Sequence, residues 1–190
     1  MVRHTLLFAL ILFAEMASGQ SSSMTKTIQS IGAGPFDFPI SGTFKISQEG
    51  GASVFSAPNG EREIRVGFLR NPAASQSPEQ MTKTQIKVQG NWERFAAEEK
   101  MEVIRPFKRW DLSSSLVIFG MASQYQQAGA QRYYVQFAVT DGPQMAFLIV
   151  DGLGPAESAA TELEAQVLKV TATDASNSSL QKDAPRTARP

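Results

Sequence analysis

The sequence predicts an α+β fold in which an antiparallel sheet of about six to seven strands is flanked by helices. Several segments alternate polar and apolar residues, as half-buried strands do. Residues 115–122 and 145–150 are almost entirely apolar, which predicts strands that are covered on both faces. Two segments far apart in the chain, beginning near residues 78 and 155, carry apolar residues at helical spacing.

The first half of the chain predicts two hairpins. Residues 43–47 and 52–56 alternate on either side of Gly50-Gly51, which favours a tight turn between two strands. Asn59-Gly60 then separates residues 52–56 from residues 64–68, which again alternate. Because Asn and Gly tolerate the positive φ that short hairpin turns require, this dipeptide predicts a second hairpin.

The first helix is predicted to begin at Ser77. Ser at the N-cap, Pro78 at the first helical position and Gln80 three residues after the cap form a good helix start. One helical stripe of apolar residues follows, made of Met81, Val88, Trp92, Phe95 and Ala96. Gly90 costs about 1 kcal/mol relative to Ala in a helix interior, so we expect a kink there or a proper start only near Asn91.

The second half of the chain predicts an edge strand, three central strands and a closing helix. Residues 101–110 are extended, and Pro106 excludes a central position for them. Residues 115–122, 132–140 and 145–150 are the predicted central strands, with a loop over residues 124–131. Residues 155–170 carry an amphipathic helical pattern that starts at a proline.

The two ends of the chain differ from this core. Residues 1–19 have the three parts of a secretory signal: Arg3, an apolar run over residues 6–14 and the small residues Ala17-Ser18-Gly19, with cleavage expected after Gly19. The alternative is an uncleaved membrane anchor, but the apolar run is short for a membrane span. We expect a flexible leader over residues 20–34, one domain over residues 35–173 and a disordered tail over residues 174–190. The predicted location is the periplasm or the outside of the cell.

Composition excludes several kinds of chemistry. The chain has no Cys, and its one His, His4, lies in the predicted signal. A Ser-His-Asp triad, a Cys nucleophile and a Cys/His metal site are therefore excluded from the mature chain. Lys and Arg number 18, as do Asp and Glu, so no net charge directs the protein to nucleic acid. We expect no catalytic residue, no metal site and no cofactor.

A cluster of basic and aromatic residues is the main candidate for binding. If residues 101–110 form an edge strand, Arg105, Lys108, Arg109 and Trp110 face solvent, where Arg and Trp are favoured contact residues. Tyr125, in the predicted loop, would extend this partner-binding surface. The alternative is an ordinary strand in which Trp110 belongs to the core and the charges are solvated.

The order of elements resembles the PsbP-like group of proteins, which includes the DcrB type. The resemblance covers residues 36–172 and rests on the early hairpin ASVFSAPNGEREIRVGFL, the helix end NWERFAAEEK and the late hairpin RYYVQFAVTDGPQMAFLIVDGLG before a C-terminal helix. It implies an α/β/α sandwich that acts as a binding or assembly module, usually without catalysis. The group has no shared site that maps onto this chain, so no functional residue is carried over.

Two functional hypotheses follow. The first is an exported, non-enzymatic binding or assembly module of the cell envelope, whose partner is another envelope or exported protein. An envelope assembly factor and an immunity-type inhibitor of an exported protein are the two alternatives within this class. The second is a small hydrolase or lyase that uses carboxylate, Lys or Tyr chemistry, with Tyr125, Tyr133 and Tyr134 near a cleft. Binding to a membrane surface ranks last, because the chain has no basic amphipathic helix.

Overall fold

A computed structural model describes residues 24–70 and 77–172 of the 190-residue chain. The predicted signal peptide at residues 1–19, the start of the predicted leader at residues 20–23 and the predicted tail at residues 174–190 lie outside the described residues. The domain is α+β, as the sequence predicts.

The described residues form eleven strands and two helices. The first half contains β1 (Met24–Ile28), β2 (Ile31–Ala33), β3 (Phe36–Phe38), β4 (Gly42–Glu49), β5 (Ala52–Ser56), β6 (Arg62–Arg70) and α1 (Pro78–Glu98). The second half contains β7 (Glu102–Asp111), β8 (Val117–Gln127), β9 (Ala130–Thr140), β10 (Gln144–Leu153), α2 (Ala156–Val167) and β11 (Thr171–Ala172).

Eight of these strands form one antiparallel sheet, in the order β1-β4-β5-β6-β10-β9-β8-β7. The sheet contains two meanders, β4-β5-β6 and β10-β9-β8-β7, which meet where β6 pairs with β10. The helix α1 connects β6 to β7, at the far edge of the sheet. A second sheet has three short strands in the order β11-β3-β2. The main sheet is larger than the six to seven strands predicted, and the small sheet was not predicted, because its strands have only two or three residues each.

One face of the main sheet carries the larger core. Alternate residues of β8, such as Ile118 and Ala122, pack on this face with Leu163 and Val167 of α2. The small sheet adds Phe36 and other apolar side chains to the same cluster. This core therefore joins the sheet, α2 and the N-terminal strands into one unit.

The opposite face is covered by α1 over β7 and β8. Phe119 and Met121 of β8 pack there against Val88 and Trp92 of α1. The strand β8 is accordingly buried on both faces, as predicted, and β9 is buried on both faces as well. The same prediction holds only in part for β10, whose Phe147 packs against the cluster under α1 but is only partly buried, because α1 lies over β7 and β8.

The prediction of a flexible leader over residues 20–34 is wrong from residue 24 onward. The strand β1 pairs with β4, and β2 and β3 form a hairpin in which Ile31 and Phe36 are each 1% exposed. The strands β2 and β3 each bury two alternate apolar residues, and the burial of that apolar surface offsets the entropy of ordering the segment. The folded domain thus begins before residue 35.

The helix α1 begins as predicted but has no break at Gly90. The hydroxyl of Ser77 accepts a hydrogen bond from the Gln80 amide at 3.2 Å, and the helix then runs without interruption to Glu98. Gly90 is exposed, whereas Val88 and Trp92 on either side of it are buried against the sheet. Packing of this stripe therefore outweighs the low helix propensity of one glycine.

Candidate functional site

The edge strand β7 contains two bulges that decide which side chains share a face. In its pairing with β8, Arg105 lies opposite Ala122 and Lys108 lies opposite Gly120, so three steps along β7 match two along β8. A regular strand would place Arg105 and Lys108 on opposite faces, because side chains alternate. The bulge places both on the face that α2 covers, where Trp110 also lies.

A cavity of about 380 Å³ lies between β7, the sheet and α2. Its apolar wall includes Trp110, Val135 and Phe137, together with Ala160 from α2. Its charged lining residues are Arg105, Lys108 and Glu164. We call this site the Trp110 cleft.

The floor of the Trp110 cleft depends on the absence of a side chain at Gly120. A Cβ atom added to Gly120 would lie 2.7 Å from Cζ3 of Trp110 and 3.0 Å from Cδ1 of Phe137. These distances are shorter than ordinary van der Waals contact, so the two rings lie directly on the backbone of β8. The glycine thereby gives the cleft an aromatic floor.

One rim of the cleft is an ion-pair network centred on Arg105. Its guanidinium donates to Glu157 Oε1 at 2.6 Å, to Glu164 Oε2 at 3.0 Å and to the Thr161 hydroxyl at 2.6 Å. The hydrogen bond from Arg105 lowers the pKa of Glu157 below its ordinary value, although the Glu157 side chain is exposed. Arg105 thus connects β7 to α2, and its donors point to α2 rather than to solvent.

Lys108 is less firmly held. Its Nζ lies 3.8 Å from Glu164 Oε1, within ion-pair range but beyond a hydrogen bond, and 4.8 Å from the centre of the Trp110 ring. The side chain is 60% exposed. Lys108 therefore stands at the mouth of the cleft with an ammonium group that can turn toward an incoming ligand.

Arg109 lies on the other face of the sheet. It is paired opposite Phe119, donates to Asp111 Oδ1 at 2.6 Å and reaches Gln85 of α1 at 3.3 Å. The basic cluster predicted as one surface is therefore divided by the sheet, with Arg105, Lys108 and Trp110 on one side and Arg109 on the other.

Tyr125 lies in a strand, not in the predicted loop over residues 124–131. The strands β8 and β9 pair as far as Gln127 and Ala130, and Ala128 and Gly129 make the turn with positive φ values of 52° and 81°. The phenol of Tyr125 donates to Asp151 Oδ2 at 2.8 Å and accepts from Arg132 Nε at 3.0 Å. Burial, with the hydrogen bond to Asp151, raises the pKa of Tyr125 to about 12, so this phenol ionises less readily than an ordinary tyrosine.

The sequence reasoning missed Gly120, Ala160 and Glu164 as parts of the cleft. Glycine within an apolar strand marks a close approach of other groups. Of the three residues, Gly120 is therefore the one that the sequence could have indicated. Ala160 and Glu164 belong to the helical pattern of α2, which does not specify what the helix faces.

Two further findings concern the described residues alone. Residues 24–70 and 77–172 hold no group of three or more acidic or His side chains placed to bind a metal ion. Neither α1 nor α2 has the length and apolar character to cross a membrane.

No protein-family model matches the sequence, and a search of curated proteins finds no significant match.

Proposed function

We propose that this chain is an exported, non-catalytic binding module of PsbP-like α/β/α architecture, and that the Trp110 cleft is its binding site. The observation that carries the proposal is the cleft itself. Its volume of about 380 Å³ falls within the range of small-ligand pockets. Mostly apolar walls with a few charged groups at the rim are also typical of such pockets. Export rests on the signal-like pattern of residues 1–19.

The ionisable groups of the cleft favour binding over catalysis. Its one lining carboxylate, Glu164, is paired with Arg105 at 3.0 Å and with Lys108 at 3.8 Å. A general base needs a free lone pair directed at the substrate, and both carboxylate oxygens of Glu164 face cations. The rival hydrolase or lyase has less support, since Tyr125 lies on the other face of the sheet from the cleft.

A partner protein would have to engage the cleft rather than the free edge of β7. Pro106, two bulges and the exposed Lys108 all oppose the addition of another strand at this edge. We therefore propose that a partner, whether an envelope assembly protein or the target of an immunity-type inhibitor, inserts an apolar group beside Trp110. The proposed location remains the periplasm or the outside of the cell.

Filling the cleft tests this proposal. Ala160→Leu adds a bulky side chain to the cleft wall, whereas Ala165→Leu adds the same atoms to the exposed side of α2. With Trp92→Phe as the background, Trp110 is the remaining tryptophan and its fluorescence reports on the cleft. An apolar dye should quench Trp110 by energy transfer in the parent and in Ala165→Leu, but much less in Ala160→Leu.

Circular dichroism and thermal melting of both variants establish whether Ala160→Leu remains folded. If it unfolds, Ala160→Val makes the same test with a smaller addition. Equal dye binding in the parent and in a folded cleft-filled variant would refute the cleft as the binding site.

A further inference from the structure

The two cations that line the Trp110 cleft are not equally paired. Arg105 pairs with Glu157 at 2.6 Å and with Glu164 at 3.0 Å, whereas Lys108 Nζ lies 3.8 Å from Glu164. We propose that the cleft binds a small apolar carboxylic acid, with its apolar body against Trp110 and its carboxylate at Lys108. This inference rests on the proposed function, since it names the class of ligand that the same cleft takes.

Lys108 is the group that remains available to an anion. The Nε, Nη1 and Nη2 atoms of Arg105 already donate to α2, with Nη2 shared between Glu157 and Thr161. Among the described residues, Lys108 Nζ has no hydrogen-bond partner, and its closest carboxylate oxygen is 3.8 Å away. A ligand carboxylate at the mouth would give this ammonium group a charge-assisted hydrogen bond.

The aromatic floor of the Trp110 cleft favours a ligand with an apolar body. The rings of Trp110 and Phe137 lie on the backbone at Gly120, and Ala160 leaves room between them and α2. An aliphatic or aromatic group placed there removes its own apolar surface and that of the partly buried Trp110 ring from water. Because the cavity of about 380 Å³ lies near the small end of ligand pockets, the acid must be small.

A cationic ligand is disfavoured by the same arrangement. It would meet Lys108 at the mouth and Arg105 at the rim, while Glu157 and Glu164 are already paired with these cations. Like charges brought together in a partly desolvated site oppose binding, which gives selectivity against amines. A neutral ligand would keep the apolar contacts but gain no hydrogen bond from Lys108.

Octanoate, 1-octanol and octylamine test the proposal, because they share one chain length and differ in head-group charge. Isothermal titration calorimetry on the purified protein gives the three affinities. We expect octanoate to bind about tenfold more tightly than 1-octanol, as one charge-assisted hydrogen bond would produce, and octylamine to bind most weakly. The variant Lys108→Gln should reduce the preference for octanoate to near unity.

Lys83→Gln is the matched control, since Lys83 is 65% exposed on α1 and pairs with Glu79 far from the cleft. It should keep the full preference for octanoate. Equal affinities for the three probes, or tightest binding of octylamine, would overturn the carboxylate assignment while leaving the apolar cleft as a site. Absence of binding by all three, with no effect of Ala160→Leu on dye binding, would instead overturn the proposed function.

Discussion

Separating Arg105 from Glu164 should weaken the attachment of β7 to α2 by a measurable amount. Arg105 Nη1 and Glu164 Oε2 are 3.0 Å apart, and only 27% and 24% of the two side chains are exposed. Fully exposed ion pairs contribute about 0.2–1 kcal/mol to the free energy of unfolding. Because most of both side chains is shielded from water, we expect a coupling near the top of that range, about 1 kcal/mol.

A double-mutant cycle measures this coupling directly. The parent, Arg105→Ala, Glu164→Ala and the double variant are unfolded in urea, and the free energies of unfolding give the interaction term. A coupling of about 1 kcal/mol corresponds to roughly 2–4 °C in melting temperature for a domain of this size, which a thermal scan checks independently.

The pair Arg109 and Asp111 supplies a matched control cycle on the same strand. Its atoms are closer, at 2.6 Å, but 58% of the Asp111 side chain is exposed. Solvent screening should reduce its coupling to about 0.5 kcal/mol or less. If the Arg105–Glu164 coupling is no larger than that of the control, Arg105 does not hold β7 to α2. It would then be free for a partner, as the sequence alone suggested.

Four other predictions concern the ion pair between Arg105 and Glu157, the helix α1, the N-terminal strands and the phenol of Tyr125. Because Arg105 lowers the pKa of Glu157, this carboxylate stabilises the fold above pH 4.5, its unfolded value, and loses that effect as pH falls through the folded pKa. Glu157→Gln should therefore be less stable than the parent at neutral pH and equal to it in strong acid, by urea denaturation at each pH. Gly90→Ala should raise the free energy of unfolding by about 0.5–1 kcal/mol, since the new methyl group meets open space; a loss of stability would contradict this reading. Ile31→Ala should cost about 2–5 kcal/mol, because Ile31 is 1% exposed; a cost below 1 kcal/mol would return this segment to a flexible leader. The absorbance difference between the parent and Tyr125→Phe should show a phenolate forming near pH 12, and a component near pH 10 would contradict the burial of this phenol.

Local patterns in the sequence predict the local parts of this fold well. The Gly50-Gly51 and Asn59-Gly60 turns connect β4, β5 and β6 as expected, because backbone conformation at a short turn is fixed by the turn residues themselves. The edge position of β7 was predictable from Pro106, which has no amide hydrogen for a second neighbour. In each case the relevant physics acts within a few residues.

The errors arise where a distant contact decides the outcome. Residues 20–34 look like a small, polar leader, yet Ile31 and Ala33 are buried in a cluster with residues of β6 and α2, which the local pattern does not reveal. Gly90 looks like a helix breaker, yet Val88 and Trp92 anchor the helix on the sheet to either side of it. Tertiary packing overrides a weak local preference in both cases.

The candidate site shows the same limit most clearly. Strict alternation along β7 places Arg105 and Arg109 on one face and Lys108 and Trp110 on the other. The bulge between Arg105 and Lys108 inserts one extra residue into β7. This moves Arg105 to the face that carries Lys108 and Trp110 and leaves Arg109 on the opposite face. The sequence could therefore supply the residue types of the site but not their grouping. The grouping comes from the register with β8, where Gly120 leaves room for the Trp110 ring and so helps to fix which residues of β7 face α2.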